Sequence, residues 1–177
     1  MKYLEEYKRL HLKKESFSGS ATFEYKYDIG KLIESTDSET LLDYGCGKAV
    51  HYKNFGYDLF WGVEVDCFDP AIDEFNTLHD KKYDGVICVY VMEHVPEEEV
   101  DQVLKDIFDR AEKFVFLAIA NHVSGKKFED GQQIHVTMED QAWWQAKVDE
   151  HNTNNVLVDL RVTYSDRCET IGRRTDD

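Results

Sequence analysis

Two nearly continuous apolar runs, Tyr83–Val91 (YDGVICVYV) and Phe114–Ala120 (FVFLAIA), constrain this chain more than any other feature. A strand that reads as an unbroken apolar run is covered on both faces, which is the environment of a parallel sheet. The segment between the runs has a helical signature. Pro96 opens it, and Glu97, Glu98 and Glu99 place negative charge at the positive end of the helix dipole. Val100, Val103, Leu104, Ile107 and Phe108 then form an inward stripe in a helix expected to reach about Lys113.

Strands that alternate with helices argue for an α/β sheet. The same patterns predict helices over 2–14, with Tyr3, Leu4, Tyr7, Leu10 and Leu12 as apolar members, and over 21–35, with Phe23, Tyr27, Ile29 and Ile33. Further strands are expected at 40–44, 60–68 and 155–164, with a polar loop from Asn121 to about Ile134 and a helix over 138–151. The last dozen residues are left to a short edge strand or a frayed end. About 13 residues separate the second strand from the third, too few for a helix, a strand and another helix. The expectation is one domain over 1–177: a helical cap over 1–36 and, over 38–165, a doubly wound, mostly parallel sheet with helices on both faces and one edge strand missing.

Charge and cysteine usage narrow the partners. Lys and Arg number 21 and Asp and Glu 36, a formal charge of −15. A field of that sign repels phosphate backbones and anionic membranes, so nucleic acid is disfavoured. The basic clusters Lys13-Lys14, Lys126-Lys127 and Arg173-Arg174 are pairs and not a stripe. Cys46, Cys67, Cys88 and Cys168 form no C-x-x-C pair, which removes zinc-ribbon spacing and favours reduced thiols. The charged N-terminus has no apolar signal core, and the chain is expected in the cytoplasm.

The first strand runs into Asp43-Tyr44-Gly45-Cys46-Gly47-Lys48-Ala49. In an open α/β sheet, ligands bind where such turns leave the carboxyl ends of the strands. A dinucleotide turn, G-x-G-x-x-G, requires glycine where Val50 stands, and the G-x-x-x-x-G-K-[ST] phosphate loop is absent.

LLDYGCGKA instead resembles the first motif of class I S-adenosylmethionine-dependent methyltransferases, an acid-x-G-x-G-x-G loop. Asp43, Gly45 and Gly47 match, and Ala49 replaces the third glycine. YDGVICVYVMEHVPEEEV is similar to the fourth-strand segment of that family through Asp84, Glu93, His94 and Pro96. The overall look is of small methyltransferases common in phage genomes. The resemblance covers about residues 38–145. It implies a Rossmann-like fold and S-adenosylmethionine as cofactor, contacted by Asp43, Tyr44, Gly45, Cys46, Gly47, Phe68, Asp69, Tyr90 and Val91. Asp69 is the acid expected on the ribose hydroxyls, with Asp66 as the competing position.

For chemistry, the resemblance points to His94 as a base, with Glu93 and His135 beside it. An ordinary imidazole titrates near pH 6.5, which suits that role. The order Glu93-His94, strand, His135 also resembles metal-dependent small-RNA methyltransferases, which use a further acid where Tyr90 stands. The resemblance implies a methyltransferase acting on a small molecule or a sugar-like O or N nucleophile, with no metal assigned. Its alternatives are a degenerate cofactor-binding module without turnover and the metal-assisted RNA enzyme. Trp143 or Trp144 is expected at the substrate mouth, and Tyr3, Tyr7, Phe17 and Tyr25 in a lid over the cofactor. A homodimer through the last strand is a further expectation.

Overall fold

The computed structural model describes residues 2–13 and 16–164. Cys168, the Arg173-Arg174 pair and the expected terminal strand or frayed end lie outside the described residues. Cys46, Cys67 and Cys88 are free thiols.

Five strands form one open, all-parallel sheet: β1 (Thr40–Tyr44), β2 (Glu64–Phe68), β3 (Tyr83–Val89), β4 (Ala111–Ala120) and β5 (Leu157–Thr163), in the order β2-β1-β3-β4-β5. Every pairing is parallel, from Leu42 opposite Asp66 to Ala120 opposite Thr163. The sheet ends at β2 on one side among the described residues, consistent with the expected missing strand.

The continuous apolar runs sort by the two-residue period of a strand. Val86, Cys88, Val115, Leu117 and Ile119 face one side, with Val100, Leu104, Ile107, Trp144 and Val148. These last come from helices α5 (Glu97–Phe108) and α6 (Gln141–His151). Ile87, Val89, Phe114, Phe116 and Ala118 face the other, with Ile29, Ile33, Tyr57 and Trp61. Those four come from α2 (Lys26–Ser35) and the short α4 (Tyr57–Trp61). Two cores on opposite faces explain why neither run could alternate with polar residues. Among the described residues no helix is long and apolar enough to cross a membrane.

Several boundaries differ from expectation, among them the helix expected to reach about Lys113, which ends at Phe108, with β4 already under way from Ala111. The second strand begins at Glu64, because Phe60 and Trp61 close α4, which Gly62 stops at φ +68°. Trp61 is held there by its indole N–H, which donates to the carbonyl of Lys26 over 2.9 Å. The helix expected over 21–35 begins as a 3-10 turn, Ser20–Tyr25, before α2. The first helix, α1, is limited to Leu4–His11. A one-turn helix that the sequence reading left unassigned, α3 (Val50–Lys53), follows the glycine turn. Asp140 caps α6 by accepting the Trp143 N–H at 2.9 Å.

Candidate functional site

The chain leaves β1 toward β2 at one edge, then returns through β3 toward β4 and β5. The crevice at the carboxyl ends of β1 and β3 is therefore the switch point of the sheet. A cavity of about 1350 Å³ opens there. Among the residues it meets are Gly45, Gly47, Asp69, Tyr90, Glu93 and His94.

The turn after β1 is tied on every side. Gly45 and Cys46 donate their N–H groups to the carbonyl of Phe68, at 2.7 and 3.1 Å. Gly47 donates to Asp69 Oδ2 at 3.0 Å. Lys48 donates to Phe17, Ala49 to Cys46, and Val50 to Ser18. Six successive amides, from Gly45 to Val50, are thus satisfied inside the protein. A phosphate cradle needs such amides pointing at the ligand. This turn has none of the six to offer.

The glycines also solve a packing problem. A Cβ on Gly45 would lie 2.2 Å from Val91 Cγ2, and one on Gly47 would lie 2.4 Å from the carbonyl oxygen of Phe17. Both have positive φ, +88° and +57°, and so does Ala49, at +53°. The third glycine of the family pattern is thus replaced by an alanine that adopts the conformation glycine favours.

Asp43, expected at the cofactor, does not line the cavity. Its carboxylate is buried and accepts from His51 Nε2 at 2.8 Å and from the Tyr52 hydroxyl at 3.0 Å. Cys46 and Phe68 also lie off the cavity, and Phe68 acts through its carbonyl. The other expected residues, Tyr44, Gly45, Gly47, Asp69, Tyr90, Val91, Glu93, His94 and His135, all meet there. Asp69 is buried and raised above the usual carboxylate range by desolvation, although the Ala71 and Gly47 amides hold it down. Asp66, its rival, is on the side of the sheet with Tyr83 and Lys81, which it accepts from at 2.8 Å each.

Tyr90 follows β3 with φ +55°, a rare conformation for a bulky residue. Its hydroxyl is 2.8 Å from that of Tyr25 and donates to Glu24 Oε2 at 3.1 Å. The turn preceding α2 is thereby clasped over the end of β3. Of the expected lid, Tyr7, Phe17 and Tyr25 line the cavity, while Tyr3 stacks on Phe128. Trp144 is fully buried, and Trp143 packs on it edge to face and stays off the cavity. Neither tryptophan is at the mouth.

Glu93 and His94 sit in a 3-10 turn, Met92–His94, and His135 in the loop that follows β4. His94 Nδ1 lies 3.0 Å from the carbonyl of Ile134, and His135 Nδ1 lies 2.6 Å from that of His122. Burial lowers His94 to about 3, so the ring is neutral across the physiological range and leaves the titration range expected of it as a base. Burial raises the Glu93 carboxyl to about 8, against a weaker opposing pull from the backbone of Glu93 and Ala120.

Sequence reasoning missed His11, Ser18, Ser20, Glu24 and Lys126 at the cavity. His11 alone left a signal, being four residues after Tyr7 on the same face of α1. The others come from loops and turns, which carry no period.

No curated protein matches the chain. The family model described as a methyltransferase domain matches residues 18–157, which include the whole glycine turn, the Tyr90 clasp and the Glu93-His94-His135 group. A chain with this sheet, this switch-point cavity and that match belongs to the methyltransferase domain family.

Proposed function

We propose that the protein transfers the methyl group of S-adenosylmethionine to a small-molecule oxygen or nitrogen nucleophile. The observation that carries the reading is the saturation of all six amides from Gly45 to Val50. A turn without free donors suits a cationic nucleoside better than a pyrophosphate. The walls fit the same charge: Glu24 and Asp69 supply carboxylates, and the rings of Tyr25 and Tyr90 line the cavity. A cation is attracted to aromatic faces and to acids.

When bound, S-adenosylmethionine supplies an electrophilic methyl group. Gly45 and Gly47 let the turn at the cavity wall close against Val91 and the Phe17 carbonyl, where no β-carbon fits. Asp69 is the acceptor available to sugar hydroxyls at the end of β2. The Tyr25–Tyr90–Glu24 clasp and Phe17 exclude water from one side. His94, neutral and fixed through Nδ1, orients the acceptor together with Glu93 and His135. The cavity exceeds the roughly 300–1,000 Å³ of a single-ligand pocket, which leaves room for cofactor and acceptor together. The charge of −15 favours a small acceptor over a nucleic acid.

Calorimetric titration with S-adenosylhomocysteine, with NAD as control, tests the reading. Saturable binding of the first, weakened about tenfold or more by Asp69→Ala, is expected. Binding of NAD alone, or of neither, would overturn it.

A further inference from the structure

Acids outnumber bases in this chain, 36 to 21, so a lysine rarely lacks a counter-charge. Lys2, Lys53, Lys81, Lys113 and Lys147 each meet a carboxylate at ion-pair distance. Lys126 does not. Among the described residues no carboxylate pairs with its ammonium, although it lines the cavity that Glu24 and Asp69 also line. The ammonium rests instead over the Phe17 ring, 4.6 Å from the centroid. Burial lowers it from the usual range, and the positive charge of Lys48 adds to the fall.

His11 packs on the same ring and lines the same cavity, with centroids 4.9 Å apart. Its side chain is only 7% exposed, and its Nδ1 has no hydrogen-bond partner. Buried polar atoms in native proteins are nearly always satisfied, so this one calls for a ligand. Asp69 does not fill the need. Its Oδ1 stands 3.9 Å from the other ring nitrogen, Nε2, and its two oxygens accept from the Gly47 and Ala71 amides at 3.0 and 2.9 Å.

Both groups are held in place before anything binds. Phe17, which carries them, has φ +50°, rare for a bulky residue, and its carbonyl takes the Lys48 N–H at 3.0 Å. Strain of this kind persists where the surroundings enforce it, and it clusters at ligand sites. The loop of Lys126 is pinned too. The Lys126 N–H donates to Ser124 Oγ at 3.1 Å, and the Gln133 side chain donates to the Ser124 carbonyl at 2.9 Å. His94 meets the Phe17 ring edge to face at 5.5 Å, which joins this corner to the place of the acceptor.

From this arrangement we infer that Lys126 and His11 form a subsite for a carboxylate on the methyl acceptor, which makes the substrate a small organic acid. The ammonium supplies the charge, and the imidazole, kept neutral by burial, supplies a donor at Nδ1. One ammonium and one N–H match the two oxygens of a singly charged group. A phosphate ester fits less well. No arginine lines the cavity among the described residues, and the amides from Gly45 to Val50 are engaged elsewhere. The inference deepens the methyl-transfer reading and rests on it.

The test titrates benzoate into the protein with and without saturating S-adenosylhomocysteine, at constant ionic strength, with benzamide as the neutral isostere. Saturable binding of benzoate in the presence of S-adenosylhomocysteine is expected, about tenfold tighter than that of benzamide. Lys126→Met and His11→Phe should each weaken benzoate by about tenfold and leave benzamide unchanged. Lys127→Met, outside the cavity, should leave both unchanged. No saturable benzoate binding, equal binding of benzamide, or wild-type affinity in both variants would overturn the subsite. So would benzoate binding that S-adenosylhomocysteine abolishes, which assigns the carboxylate position to the amino-acid end of the cofactor. Lys126→Met keeps the test decisive if His11→Phe fails to fold. Titration with S-adenosylhomocysteine alone separates the two readings: if it binds and benzoate does not, only the subsite falls, and if it does not bind, the methyl-transfer reading falls with it.

Discussion

The carboxylate of Asp43 lies 2.8 Å from His51 Nε2, and both side chains are sealed from solvent. The acid that precedes the glycine turn is thus engaged inside the protein. It joins the end of β1 to α3 and takes a second bond from the Tyr52 hydroxyl. The glycine turn is held by this contact from behind.

Asp43→Ala is therefore expected to act on stability first. It strands a buried imidazole and a half-buried phenol, for a loss of about 2–4 kcal/mol. Chemical denaturation should show the loss without any ligand. A variant of wild-type stability that only loses cofactor affinity would contradict the arrangement.

Gly47 and Ala49 should respond in opposite directions. Gly47→Ala drives a Cβ to within 2.4 Å of the Phe17 carbonyl oxygen, at φ +57°. It should lose about 2 kcal/mol or more and displace the segment around Phe17. Ala49→Gly relieves a left-handed alanine and should gain up to about 1 kcal/mol. Thermal melts of the two variants check the signs.

Tyr90→Phe removes the hydroxyl shared with Tyr25 and Glu24 and keeps the ring. The expected stability loss is about 1 kcal/mol, as for a partly buried hydrogen bond. Release of S-adenosylhomocysteine, followed by stopped flow, should quicken by more than that loss alone explains, because the clasp closes over the cavity.

His11 gives the cap a pH dependence. Burial lowers the ring to about 4, and Lys48 and Lys126 push it further the same way, while Asp69 Oδ1 stands 3.9 Å from Nε2. The unfolded chain takes up a proton near pH 6.5. The folded chain takes it up only near pH 4. Between those values the unfolded state binds more protons, so stability falls as pH drops from about 6.5 to about 4 and this contribution is constant above that window. Denaturation midpoints at several pH values should show a steeper acid decline for wild type than for His11→Gln.

Fold class was legible because it rests on local patterns. Tyr83–Val91 and Phe114–Ala120 announce strands covered twice, and the Val100–Phe108 stripe announces the helix that covers one side. The strand before the glycine turn, Thr40–Tyr44, has the same bounds in the structure as in the sequence reading. Phe60 and Trp61 misled it, because an apolar pair next to Val63 and Val65 continues a strand as plausibly as it ends a helix. The helix won through contacts with α2, which no local window contains.

The site divides along the same line. The sequence alone marked Gly45, Gly47, Asp69, Tyr90, Glu93 and His94 at strand ends and turns, because such positions carry their own residue types. Only the tertiary structure decided what each of them does there. It engaged Asp43 with His51, turned the Gly45–Val50 amides inward, left the Glu93 carboxylate buried without a partner, and brought His135 from a distant loop to His94. Burial and partnership are set by what packs against a residue, and here the packing comes from segments far away in the chain.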